Sequence, residues 1–149
     1  MRKNILSALA GYGVIFALVF GMMSLAWQVV GAEGAFEPES WQVSPLWIFL
    51  LLAAGFLAAL AGGWTADHLS HSARGAQMLL GIVIILGLLV ALPAMLGMGP
   101  DPDVVRPENV PMLEAMNKGQ QPVWVALLNP VLGAMGVIFG SRLRNSHGL

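Results

Sequence analysis

The segment Pro45–Thr65 reads PLWIFLLLAAGFLAALAGGWT and contains no charged side chain. An α-helix needs roughly 20 apolar residues to cross the hydrocarbon core of a bilayer, so this segment is long enough to span a membrane. Three other segments have the same apolar character: Ile5–Val30, Ala76–Met98 and Pro122–Ser141. Because lipid offers no hydrogen-bond partners to the backbone, each of the four segments is predicted to form a helix.

The composition of the whole chain also indicates a membrane protein. Of its 149 residues, 57% are hydrophobic and 10% are charged, whereas a soluble domain carries about 25% charged residues. Only short connections remain between the apolar segments, at residues 31–44, 66–75 and 99–121. We therefore predict one membrane domain over residues 1–149, an all-α bundle of four transmembrane helices arranged as two helical hairpins.

The charged residues are sorted between the two sides of this bundle. The termini and loop 66–75 carry five bases and one acid: Arg2, Lys3, Arg74, Arg142, Arg144 and Asp67. Loops 31–44 and 99–121 carry two bases and seven acids: Arg106, Lys118, Glu33, Glu37, Glu39, Asp101, Asp103, Glu108 and Glu114. Since basic residues accumulate in cytoplasmic loops, both termini are predicted to be cytoplasmic, in the cell (inner or plasma) membrane. The first apolar segment exceeds the roughly 7–15 residues of a signal-peptide core, so we expect an uncleaved helix.

Small residues recur at four-residue spacing in three of the predicted helices. They are Gly13, Ala17 and Gly21 in the first helix, Gly55, Ala59 and Gly63 in the second, and Gly136 and Gly140 in the fourth. Such a stripe lets the backbone of another helix approach closely. The neighbour is either a helix of the same chain or a helix of a second molecule, so packing within the bundle and self-association both remain open.

A few polar residues in the outer half of the bundle define a candidate site. Ser24 and Gln28 share one face of the first helix, and at about 1.5 Å rise per residue Asn129 lies at a similar depth. Pro93 and Pro130 each remove a helical hydrogen bond in the same half. These five residues are predicted either to line an outward-facing polar pocket or pore mouth, or to hold the helices together by hydrogen bonds.

Several classes of membrane protein are disfavoured by what the apolar segments lack. They contain no acidic, basic or histidine residue, although proton-coupled exporters usually need an intramembrane carboxylate and b-type cytochromes need buried histidines. The chain has no cysteine, which excludes disulfide and thiolate chemistry. No catalytic residue set and no cofactor are predicted, and no basic run points to nucleic acid as a partner.

Two groups of potential metal ligands lie outside the apolar segments. Asp67, His68 and His71 lie close together in the inner loop, and such side chains bind zinc where three or four of them converge. The outer side is rich in methionine, including Met112 and Met116, and thioethers favour Cu(I). A polar helix end and flexible packing by methionine are the commoner explanations, so no metal is predicted.

These patterns favour a small multi-pass membrane protein without a visible catalytic site. Its expected partners are the lipid bilayer and either further copies of itself or another membrane protein, so that it acts as a homo-oligomeric, accessory or scaffolding subunit. One alternative is a channel or carrier for a small ion or uncharged solute that uses Ser24, Gln28 and Asn129. A second alternative is a metal-binding or enzymatic site at the inner face.

Overall fold

The protein is all-helical in a computed structural model that describes residues 1–98 and 104–145. Its helices are α1 (Arg2–Ala35), α2 (Pro45–Ser70), α3 (Ala73–Met95), α4 (Met112–Lys118) and α5 (Val123–Asn145). Four of them, all except α4, are long and apolar enough to cross a membrane. This confirms the predicted multi-pass helical fold. The predicted loop acids Asp101 and Asp103 lie outside the described residues.

The start of α2 shows why a helix begins where the apolar segment begins. Ser44 is the N-cap residue, and its hydroxyl oxygen accepts a hydrogen bond from the Trp47 N–H at 3.1 Å. Pro45 occupies the first turn, where its missing N–H costs nothing. The helix continues beyond Thr65 to Ser70 and ends at His71, which adopts a left-handed conformation and donates its N–H to the Asp67 carbonyl.

The first helix is longer than a membrane is thick and is broken near its end. Its 34 residues extend over about 50 Å at about 1.5 Å per residue, compared with about 30 Å for the hydrocarbon core. The break lies at Gly31, which has φ 66° and ψ −174°. A side chain strongly disfavours a positive φ, so glycine suits this position. The final turn of α1 therefore takes a new direction toward the connection with α2.

The bundle is held together by close contacts between helix backbones. α2 lies at its centre and packs against α1, α3 and α5, while α3 also contacts α1 and α5. A Cβ atom added to Gly11 of α1 would lie 2.7 Å from the Gly62 carbonyl oxygen of α2. One added to Gly136 of α5 would lie 2.6 Å from the Ala59 Cβ. Van der Waals packing at small residues, which drives membrane helix association, therefore stabilises these contacts.

The connections at one end of the bundle form a folded cap. We call this the acidic end; it carries the α1–α2 connection, α4 and the start of α5, and the opposite end with Arg2 and Lys3 is the basic end. The Val43 N–H donates a hydrogen bond to the Gln120 carbonyl at 3.0 Å, and the Gln120 N–H donates to the Trp41 carbonyl at 2.8 Å. These bonds join two connections that are distant in sequence.

Candidate functional site

Three neighbouring cavities share one lining residue, Gln121, which lies at the acidic end of the bundle. The aromatic cavity has a volume of about 310 Å³ and lies among α1, α2 and α4. The interhelical cavity, of about 200 Å³, lies among α1, α2, α3 and α5. The loop cavity, of about 860 Å³, lies beside the end of α3 and the end of α4. Ligand pockets typically have volumes of about 300–1,000 Å³.

The interhelical cavity contains polar side chains within the membrane-spanning part of the bundle. Tyr12, Asn129 and Gln121 line it together with apolar residues. Gly55 makes room for the amide of Asn129, since a Cβ atom on this glycine would lie 3.1 Å from the Asn129 Oδ1. Tyr12 contributes a phenol, so the cavity offers both hydrogen-bond donors and acceptors to a small polar solute.

The residues of the predicted polar pocket are distributed over different parts of the structure. Asn129 and Pro130 line the interhelical cavity together, and Pro93 lines the loop cavity. Ser24 is half-buried and Gln28 is exposed. Neither is among the described residues that line the three cavities. The structure therefore brings Asn129 and Pro130 together and leaves Ser24 and Gln28 apart from them.

Aromatic side chains dominate the aromatic cavity. Trp27 of α1 and Trp47 of α2 meet edge to face, with ring centroids 5.8 Å apart. Trp27 also meets Phe36 edge to face at 6.4 Å. All three rings line the cavity, and edge-to-face pairs of this kind are the favourable arrangement of aromatic quadrupoles. These two tryptophans and Phe36 therefore form part of the wall of a potential binding site.

Arg106 fixes the cap above this cavity. Its side chain is buried, its Nε donates to the Ser40 carbonyl at 3.2 Å, and its Nη1 donates to the Pro107 carbonyl at 3.0 Å. Its guanidinium carbon lies 5.4 Å from the centre of the Phe36 ring, a cation–π contact. Sequence patterning shows Arg106 only as one of two bases in the acidic loops. Its structural role depends on contacts that the pattern does not contain.

Two buried polar atoms have no hydrogen-bond partner in the described part of the chain: Gln121 Oε1 and Trp41 Nε1. An unsatisfied buried polar group costs about 1–3 kcal/mol. Gln121 immediately precedes Pro122 at the start of α5, a position that sequence alone does not single out. Gln121 contributes to the lining of the cavities, but its Oε1 is itself buried and is not exposed to them.

The predicted small-residue stripes have different environments. Gly63, Gly136 and Gly140 lie where α2 and α5 meet, and a Cβ atom on Gly63 would lie 2.7 Å from the Val137 Cα. By contrast, a Cβ atom on Gly13 or Gly21 would meet no described atom within 4 Å. Helix contacts within the chain therefore cover the stripes of α2 and α5. The stripe of α1 is uncovered.

The predicted group of Asp67, His68 and His71, at the basic end of the bundle, has local structural roles. Asp67 is buried, and its carbonyl oxygen accepts a hydrogen bond from the His71 N–H at 3.1 Å. The ring of His68 stacks on Trp64 with centroids 5.0 Å apart. Within residues 1–98 and 104–145, no three His, Cys, Asp or Glu side chains are grouped so that they could hold a metal ion.

Comparison with other proteins adds no assignment. No protein-family model, no curated protein and no solved structure matches this chain.

Proposed function

We propose that this protein is a homo-oligomeric membrane subunit whose copies pair through α1, and that it works through this association as a scaffold or accessory component. The uncovered face of α1 carries the proposal. We call it the α1 face and define it by Gly13, Ala17 and Gly21. It lies on a helix long and apolar enough to span the membrane.

The α1 face has the small residues of a helix interface but no neighbour within the chain. A Cβ atom on Gly13 or Gly21 would have no described atom within 4 Å, and Ala17 is exposed. Where small residues recur at this spacing, the backbones of two membrane helices approach closely and gain van der Waals contact. Lipid chains fill such a groove less closely than a second helix does. A second copy of α1 is therefore the proposed neighbour.

The proposed orientation places both termini in the cytoplasm and the cap outside, in the cell (inner or plasma) membrane. Residues 1–98 and 104–145 contain four helices long and apolar enough to span a membrane, and an even number of spans is consistent with termini on one side, as in two helical hairpins. Arg2, Lys3 and Arg74 belong to that side, and the acidic residues of the cap belong to the other. This distribution supports the orientation because basic residues accumulate on the cytoplasmic side.

Single-molecule photobleaching in lipid vesicles tests the association. The chain has no cysteine, so a Lys3→Cys variant carries one fluorophore per copy. We expect two-step bleaching in this background and one-step bleaching after Gly13→Leu and Gly21→Leu are added together. Gly81→Leu is the matched control, because a Cβ atom at Gly81 of α3 also meets no described atom within 4 Å. Pairing that persists unchanged in the double variant would contradict the proposal.

A second candidate function is passage of a small ion or uncharged solute, and the interhelical cavity favours it. Tyr12 and Asn129 place polar groups in a cavity between the spanning helices. Stopped-flow light scattering of vesicles that contain the protein measures uptake of glycerol or urea. This function predicts uptake that Asn129→Leu abolishes and that Gln77→Leu, on an exposed part of α3, leaves intact. Vesicles as impermeable as protein-free ones would rule out these solutes.

A further inference from the structure

We propose that the basic end of the bundle binds the headgroup of an anionic phospholipid through Arg2, Lys3 and Arg74. This binding depends neither on pairing through α1 nor on solute passage. Four observations carry it. The three bases come from helices that meet, they have no partner among the described residues, the helix ends around them carry no acid, and exposed apolar side chains begin directly beside them.

The three bases come from two helices that meet at the basic end. Arg2 and Lys3 begin α1, and Arg74 is the second residue of α3. The hydroxyl of Ser72, the N-cap residue of α3, donates a hydrogen bond to the Asn4 Oδ1 at 3.4 Å. This bond joins the residue after Lys3 to the turn before Arg74. The long side chains of the three bases therefore extend from neighbouring positions.

These three bases are exposed and have no acidic partner in the described part of the chain. The bases of the acidic end differ in this respect. Arg106 contacts Glu33 at 3.4 Å. Lys118 contacts Glu114 at 2.8 Å. The three bases of the basic end are therefore available to an anion from outside the chain.

The helix ends around these bases add positive charge and do not offset it. The N-terminus of a helix carries a partial positive charge, so an acid is favourable in the first turn and a base is unfavourable. The first turns of α1 and α3 contain no acid. Asp67, the one acid among the described residues of the basic end, is buried and forms no ion pair with the three bases. An external anion is therefore attracted to this place.

The surface beside the bases favours a lipid over a soluble anion. Arg2, Leu6 and Leu9 share one face of α1, because residues three and four apart lie on the same side of a helix. Leu6 and Leu9 are 66% and 54% exposed and belong to the apolar segment, so hydrocarbon chains cover them. A phospholipid beside this face places its phosphate at Arg2 and its acyl chains on the two leucines. A soluble phosphate gains only the first of these contacts.

Headgroup selection in a mixed bilayer tests the proposal. The protein is placed in nanodiscs of equal parts phosphatidylglycerol and phosphatidylcholine with identical acyl chains. Native mass spectrometry then identifies the lipid that remains bound most strongly after release. A base at a membrane surface contributes about fivefold, which corresponds to about 1 kcal/mol. Three bases should therefore give a bound ratio of phosphatidylglycerol to phosphatidylcholine on the order of 100 to 1.

Arg74→Gln should lower this ratio about fivefold, and Arg2→Gln combined with Lys3→Gln about 25-fold. Arg74→Lys keeps the charge and should keep most of the preference. Lys118→Gln is the matched control, because it removes the same charge at the acidic end, and it should leave the ratio unchanged.

A melting measurement separates lipid binding from a structural role of the bases. The variants that remove bases of the basic end should melt like the native protein in phosphatidylcholine vesicles. In phosphatidylglycerol vesicles the native protein should gain stability from the bound lipid, and these variants should lose that gain. Equal retention of the two lipids by the native protein would overturn the proposal. A ratio that Lys118→Gln lowers as much as Arg74→Gln would overturn it as well.

Discussion

Replacement of Arg106 by methionine should loosen the cap without unfolding the bundle. The guanidinium donates to the Ser40 and Pro107 carbonyls at 3.2 and 3.0 Å, and each such bond contributes about 1–1.5 kcal/mol net. The cation–π contact with Phe36 adds about 0.5–1 kcal/mol. Glu33 contributes little, because its side chain is 74% exposed and its contact with Arg106 is 3.4 Å long. Methionine retains the apolar stem, so the expected loss is about 3 kcal/mol.

Amide hydrogen exchange measures this loss where it occurs. The Val43 and Gln120 amides donate the bonds that join the two connections of the cap. Local opening governs their exchange, and about 3 kcal/mol corresponds to roughly 100-fold faster exchange. Amides in the middle of α2 should be unchanged. Glu33→Gln is the control and should accelerate cap exchange less than about fivefold. If the cap amides of Arg106→Met exchange at rates within about threefold of those in the native protein, Arg106 does not stabilise the cap as described.

Three further substitutions test the helix contacts and helix ends. Gly63→Leu forces a side chain against Val137 and should cost about 3 kcal/mol or more; a native elution profile and melting curve would contradict this. Ser44→Ala removes the N-cap of α2 and should cost about 1 kcal/mol, seen as faster exchange of the Trp47 amide; exchange at the native rate would mean that the cap is not stabilising. Gly31→Ala places a side chain at φ 66° and ψ −174° and should cost about 1–3 kcal/mol, measured by exchange in the final turn of α1; an unchanged turn would show that this break is not needed.

The helices were predictable because a membrane imposes a strong and local requirement. In lipid, the backbone N–H and C=O groups of each apolar segment have to bond within that segment, which requires a helix. The length of the segment then decides whether the helix spans the membrane. The ends of the helices were harder to predict. α1 begins at Arg2 and ends at Ala35, so it extends beyond both ends of the apolar segment Ile5–Val30. The helical state of these flanking residues depends on surface polar groups and on the break at Gly31, which hydropathy does not report.

The candidate site was less predictable, because the rise per residue of a helix gives the depth of a side chain in the membrane but not the direction in which that side chain points. Ser24 and Asn129 are expected at similar depths, yet only Asn129 lines a cavity among the described residues. The rotation of each helix about its axis is decided by packing with its neighbours. Arg106 and Gln121 were missed for a related reason. Their importance arises from the carbonyl groups and cavities around them, which come from distant parts of the chain.

The small-residue stripes illustrate the same limit. The stripe of α1 and the stripe of α2 look alike in sequence. However, a Cβ atom on Gly63 would lie 2.7 Å from the Val137 Cα, whereas one on Gly21 would meet no described atom of another helix within 4 Å. Sequence spacing shows that a close helix contact is possible on each stripe. Which stripes are used inside the chain depends on the arrangement of all four spanning helices, and the one left over becomes the proposed association face.

Disulfide formation at the α1 face tests the proposed association most directly. The native chain has no cysteine, so an Ala17→Cys variant in lipid vesicles can cross-link only through that position. A disulfide requires Cα atoms about 4.4–6.8 Å apart, a separation that closely packed helices reach. We predict a covalent dimer for Ala17→Cys after mild oxidation, and little for Leu88→Cys on the exposed side of α3. Equal, background-level cross-linking of the two variants would contradict pairing through α1.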